Sequence, residues 1–79
     1  MMTKTLMTVL RSHDLAPDGV RIVVDWGAMH VGTSIFVPCI DTEKAKKQIK
    51  NVFMARHWEF LSRVRVENRY LGLRVWRTM

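Results

Sequence analysis

Two runs near the C-terminus alternate apolar with polar side chains. Phe60-Leu-Ser-Arg-Val-Arg-Val-Glu67 sets Leu61, Arg63 and Arg65 on one face and Ser62, Val64 and Val66 on the other. Leu71-Gly-Leu-Arg-Val-Trp-Arg77 sets Leu71, Leu73 and Val75 opposite Gly72, Arg74 and Trp76. A period of two is that of a strand with one buried face, so the two runs predict a hairpin. Asn68-Arg69 falls in its turn, without the Asn-Gly pair that fixes a two-residue loop. With the aliphatic side chains inward, Arg63, Arg65, Arg74 and Trp76 point outward together.

Upstream, Leu6, Val9 and Leu10, with His13, lie on one helical stripe within Thr3–Leu15, yet the threonines and valine suit a strand equally well. Helix and strand both remain open for this N-terminal segment, residues 1–18. Ala16-Pro17-Asp18-Gly19 is a turn, with proline presetting φ at its first central position. Val20–Asp25 alternates as a strand with Val20, Ile22 and Val24 inward, and Trp26–His30 connects it to a second strand, Val31–Val37, which Pro38 stops.

The 3.6-residue period is clearest over 42–57, where Ala45, Ile49, Val52, Phe53 and Arg56 trace one face and Lys46, Lys47, Lys50 and Met54 the other. Asp41 suits the N-cap, Glu43 favours the first turn, and Glu43 stands four residues before Lys47 for a helical ion pair. The predicted class is α+β: one domain over residues 1–79, an antiparallel sheet of about four strands with one long helix on one face, in the order (α)ββαββ.

Composition narrows this further. A chain of 79 residues sits near the lower limit for a self-sufficient core, which keeps a homodimer in view. The single cysteine, Cys39, cannot form an internal bridge and fits a reducing setting. No run is long enough for a membrane span and no signal-peptide core opens the chain, so a cytoplasmic protein away from membranes is expected.

The formal net charge of +6 is unevenly placed. Residues 1–30 balance, and the surplus lies after Val31: mostly lysine up to residue 58, all arginine beyond it. Arginine presents a planar fork suited to phosphate or carboxylate, whereas lysine is a hydrated point charge. The asymmetry points to a polyanionic partner.

Catalytic constellations are missing from the sequence. His13, His30, His57 and Cys39 show no ligand spacing, so neither a metal nor a cofactor is expected. Ser34 lacks the second glycine of a nucleophile elbow, and Gly27 and Gly32 do not form a phosphate loop. The sequence predicts a protein that is not an enzyme.

Two segments carry a resemblance. Gly32-Thr-Ser-Ile-Phe-Val-Pro38, followed by a helix and then Gly72-Leu-Arg-Val-Trp-Arg77, is similar to a pattern in small bacteriophage-encoded proteins of uncharacterised role. There the segments read G-x-S-F-F-V-P and G-V-R-V-W-R, so this chain departs at Ile35 and Leu73. The resemblance implies a phage origin and a host-cell cytoplasm, and it transfers no functional residue.

These readings converge on a nucleic-acid-binding protein, DNA more than RNA, with a regulatory role. Its candidate contacts are Arg63, Arg65, Arg69, Arg74, Trp76 and Arg77 on the hairpin and Lys46, Lys47 and Lys50 on the helix. The alternatives are a module that binds and modulates a host protein through the same Arg/Trp surface, and a structural homodimer.

Overall fold

In the computed structural model, which describes residues 14–79, the helix begins where its cap predicts. Helix α1 is Thr42–Ala55, with the Asp41 side chain accepting the Lys44 N–H at 3.0 Å. Its end is a Schellman motif. His57 lies at φ 59, its N–H donates to Met54 O, and the Trp58 N–H reaches Phe53 O at 2.9 Å. The hydrophobic contact that accompanies this motif is Trp58 against Phe53, edge to face at 5.5 Å. The helix therefore stops short of the expected 57, and Arg56 is an exposed cap residue instead of a member of the buried face.

Ala45, Ile49, Val52 and Phe53 form that face, all buried. Phe53 is fully covered, with Trp26 and Phe60 also edge to face around it at 5.9 and 5.0 Å. Enclosing such a ring contributes roughly 2–3 kcal/mol by area alone. Lys46, Lys47 and Lys50 are exposed, and Glu43 makes no ion pair with Lys47.

Three strands, in place of about four, make the sheet among the described residues. They are β1 (Ser34–Pro38), β2 (Phe60–Glu67) and β3 (Tyr70–Arg77), all antiparallel, in the spatial order β1-β3-β2. The C-terminal strand is thus the central one. α1 covers the face bearing Val37, Leu73 and Val75, each at most 2% exposed. The hairpin turn is a two-residue loop after all: Asn68 and Arg69 both take positive φ (50 and 69), the backbone of a type I′ turn.

Val20–Asp25 is not a strand. Its one pairing among the described residues is the bridge Leu15↔Ile22, closed by two backbone hydrogen bonds around the expected Ala16–Gly19 turn. Ile22 and Val24 do pack on the core, but Val20 is 72% exposed. The segment is spent within a few residues, because Asp25 caps a 3₁₀ turn at Trp26–Ala28 by accepting the Gly27 N–H. β1 consequently pairs with β3. It also starts later than expected, since Gly32 at φ 90 sits in the turn closed by Thr33 N–H to His30 O. Of the N-terminal reading, residues 1–13 lie outside the described residues. No helix among the described residues is long and apolar enough to cross a membrane.

Candidate nucleic-acid interface

The strand registers assemble the sheet face opposite α1 row by row. Leu61, Trp76 and Ser34 stand abreast, then Arg63, Arg74 and Phe36, then Arg65, Gly72 and Pro38, and finally Glu67 beside Tyr70. Residues directly opposite share a face, so Arg63, Arg65, Arg74 and Trp76 do lie together on this outer side. Phe36, Ser34, Glu67 and Tyr70 complete it. Sequence reasoning missed these four as members of the site, although the alternation within β1 assigns Ser34 and Phe36 a common face.

The arginines are not equivalent. Arg74 donates from Nε to Glu67 Oε2 at 3.0 Å, from Nη2 to Glu67 Oε1, and from Nη1 to Ser34 Oγ at 3.1 Å. Its guanidinium also lies 5.5 Å from the centre of the Phe36 ring. One side chain thereby ties all three strands. The Arg74 hydrogen bond holds the Glu67 carboxyl below its ordinary range and raises Arg74 in turn. Arg65 approaches the same carboxylate at 3.4 Å with about half its side chain, 51%, still exposed. Arg63 is exposed and has no hydrogen bond, ion pair or ring contact with any described residue.

The same contrast divides the tryptophans. Trp26 is buried and Trp58 half-buried, both packed against Phe53. Trp76 is half-buried on the outer face, and among the described residues its ring stacks on nothing. The neighbouring arginine that could cover it, Arg74, is turned to Phe36 instead.

Gly72 keeps the middle of this face low. A Cβ there would meet the Phe36 ring at 2.6 Å and the Val37 carbonyl oxygen at 2.4 Å. The Phe36 ring thus occupies the space above the central strand.

Two of the predicted hairpin arginines lie elsewhere. Arg77 projects from the helix-side face: it donates to Met29 O at 2.8 Å and Met79 O at 3.1 Å and lies 3.8 Å over the Trp58 ring. It fastens the chain internally and does not join the outer surface. Arg69 is exposed at the hairpin tip, where with Tyr70, Leu71, Asp18 and Pro38–Ile40 it borders an open groove of about 280 Å³. Lys46, Lys47 and Lys50 belong to α1, which the sheet separates from the outer face, so the two basic sets do not share a surface.

Among the described residues no three His, Cys, Asp or Glu groups are placed to hold an ion. Cys39 is buried, and burial first, then the Asp18 and Asp41 charges, pushes its thiol pKa up.

Comparison with known proteins leaves this geometry to speak alone: no protein family matches the chain, and neither does any curated protein or solved structure.

Proposed function

We propose that this is a non-enzymatic nucleic-acid-binding protein that uses the outer sheet face. The observation that carries the reading is the row Arg63–Arg74. Two guanidiniums stand directly opposite each other on antiparallel strands, an arrangement that costs stability, on a face with three arginines and one carboxylate. Glu67 compensates Arg74. Arg65 only shares that carboxylate, at 3.4 Å, and Arg63 has no counterpart among the described residues, so a phosphate backbone would supply the charge this face lacks.

The test is the salt dependence of binding. Each neutralised phosphate releases counterions, so log K falls with log salt by about 0.9 per contact on duplex DNA and about 0.7 on a single strand. Replacing Arg63 and Arg65 together by Ala is expected to weaken binding and to lower the slope by about two contacts' worth. An unchanged slope would show that the charge acts diffusely and remove the face as the site.

The helix side of the hairpin favours a second reading. Val64, Val66 and Leu71 are 56%, 69% and 42% exposed there. That apolar strip, beyond the cover of α1, suits a host-protein contact or a second copy of the chain. Sedimentation across a concentration series, with Val66→Lys as the variant, separates self-association from a monomer.

A further inference from the structure

We infer that the outer face selects single-stranded nucleic acid, with an unpaired base stacked on Trp76, phosphates on Arg63 and Arg65, and Arg74 as a positioning residue that contacts no phosphate. This rests on the nucleic-acid reading above and specifies its ligand.

Three observations carry it. The first is the Trp76 indole, which stacks on nothing among the described residues. Bases inside a duplex already stack on each other, so a ring face offered by the protein is of use only to an unpaired base. The second is the division of labour among strands. The more exposed cations, Arg63 with no partner among the described residues and Arg65 beside Glu67, lie on the edge strand β2, while Trp76 and Tyr70 lie on the central strand and Phe36 on the far one. A single strand running along the hairpin can hold its backbone over β2 and turn its bases toward β3 and β1. A duplex cannot, because its bases face inward between two backbones. The third is shape. The major groove of duplex DNA, about 12 Å wide, admits a helix or a two-stranded ribbon. Here the face is three strands wide, and the one helix lies behind the sheet.

Arg74 falls out of the contact set for a geometric reason. Its Nε, Nη1 and Nη2 already donate to Glu67 and Ser34, and its guanidinium lies against the Phe36 ring. Three of its five N–H donors are spent and its charge is answered by Glu67, so a phosphate gains less there than at Arg63. Its role is to pack against Phe36 beside Gly72 and to fix the three strands beneath the ligand.

The experiment uses fluorescence anisotropy of a short labelled oligothymidine, alone and annealed to oligoadenosine, across a salt series with the full chain. Single-strand binding is expected to be tighter than duplex binding. Trp76→Ala should weaken the single strand roughly 5- to 150-fold without changing its salt slope, as expected for the loss of one stacked base. Trp76→Phe should restore most of that loss, and duplex binding should not respond to either change. Arg63→Ala with Arg65→Ala should lower the single-strand slope by about 1.4. The double variant Glu67→Gln, Arg74→Gln keeps the net charge of the face and should leave the slope unchanged. A fall of about 0.7 in that variant would overturn the role given to Arg74. Duplex binding as tight as single-strand binding, with Trp76→Ala inert, would overturn the single-strand inference and leave the nucleic-acid reading standing. No binding to either probe at low salt would remove both.

Discussion

Replacing Gly72 by Ala pits backbone propensity against packing, and the two predict opposite signs. Glycine inside a strand costs roughly 0.5–1 kcal/mol relative to alanine, so on propensity alone the variant gains stability. The surroundings reverse this. A Cβ at position 72 would lie 2.4 Å from Val37 O, 2.6 Å from Phe36 Cζ and 2.9 Å from Pro38 Cα. The Phe36 ring can turn away. The other two atoms are backbone of β1 and have no rotamer to change, so relief requires β1 to draw back from β3 by about an ångström, given normal contact distances. That motion loosens the pairing of Pro38 with Gly72 and the Cys39 N–H to Leu71 O bond, 3.0 Å long. It also opens the buried contact between Val37 and Leu73, 1% and 2% exposed. Overpacking of this kind costs about 1–3 kcal/mol, and a weakened hydrogen bond about 1 more. After the propensity gain is subtracted, a net loss of roughly 1–3.5 kcal/mol is expected, a large share of what so small a domain possesses. Urea unfolding followed by far-UV circular dichroism should show the midpoint moving sharply down with the slope preserved. Gly32→Ala is the control: nothing lies within 4 Å of its Cβ, and only its φ of 90 opposes the change, at about 1 kcal/mol. A Gly72→Ala variant as stable as the parent would refute the close approach of β1 to the central strand.

Two further perturbations follow from the backbone and the carboxylates. His57 at the helix end and Arg69 in the hairpin turn both hold positive φ, 59 and 69, where glycine is unstrained. Relief of about 1–2 kcal/mol, less the entropy glycine loses on folding, should let His57→Gly and Arg69→Gly each stabilise by about 0.5–1 kcal/mol in thermal melts; destabilisation by either would mean that the side chain contributes a contact. On the acid side, Asp18 accepts the Asp41 and Ile40 N–H groups at 2.9 and 2.8 Å, which lowers its pKa, and Arg74 lowers that of Glu67. A depressed carboxylate contributes stability that is fully present above its unfolded value and lost as pH falls through its folded one. Asp18→Asn and Glu67→Gln should therefore be less stable than the parent at neutral pH and converge with it in acid. A stability gap that stays constant as pH falls from neutral to well below the ordinary carboxylate values of 3.8 and 4.5 would contradict the linkage.

The helix and hairpin were legible because each carries a complete periodic signal with its own stop. Asp41 and the four buried residues of α1 fix its phase, and the two alternating runs on either side of Asn68 leave one sensible pairing. Val20–Asp25 shows where that logic ends. Alternation reports which side chains are half-buried, and Ile22 and Val24 are, but it names no partner strand. The central strand had one edge for β2 and one to spare, and β1 took it. The Schellman end was obscured for a different reason: histidine occupies the left-handed position where glycine would have announced it.

At the site, what the sequence hides is which charges are already answered. Arg77 has the parity of Leu73 and Val75, so alternation alone places it on the helix side, and only its neighbours Arg74 and Trp76 draw it into the outer set. Glu67 is harder to read, because it faces Tyr70 in the register and still reaches Arg74, a pairing given by neither helical spacing nor direct opposition across strands. Counted from composition, Arg63, Arg65 and Arg74 are three equal fork-shaped cations. Placed on the sheet, one is held by a carboxylate and a hydroxyl, one shares that carboxylate while half exposed, and one has no partner among the described residues. A guanidinium whose charge is already answered by a bidentate carboxylate gains less from a phosphate, whereas a solvated one exchanges only water. On the proposed reading, the affinity of this face for an anion is expected to follow Arg63 and Arg65, while Arg74 ties the three strands on which they stand.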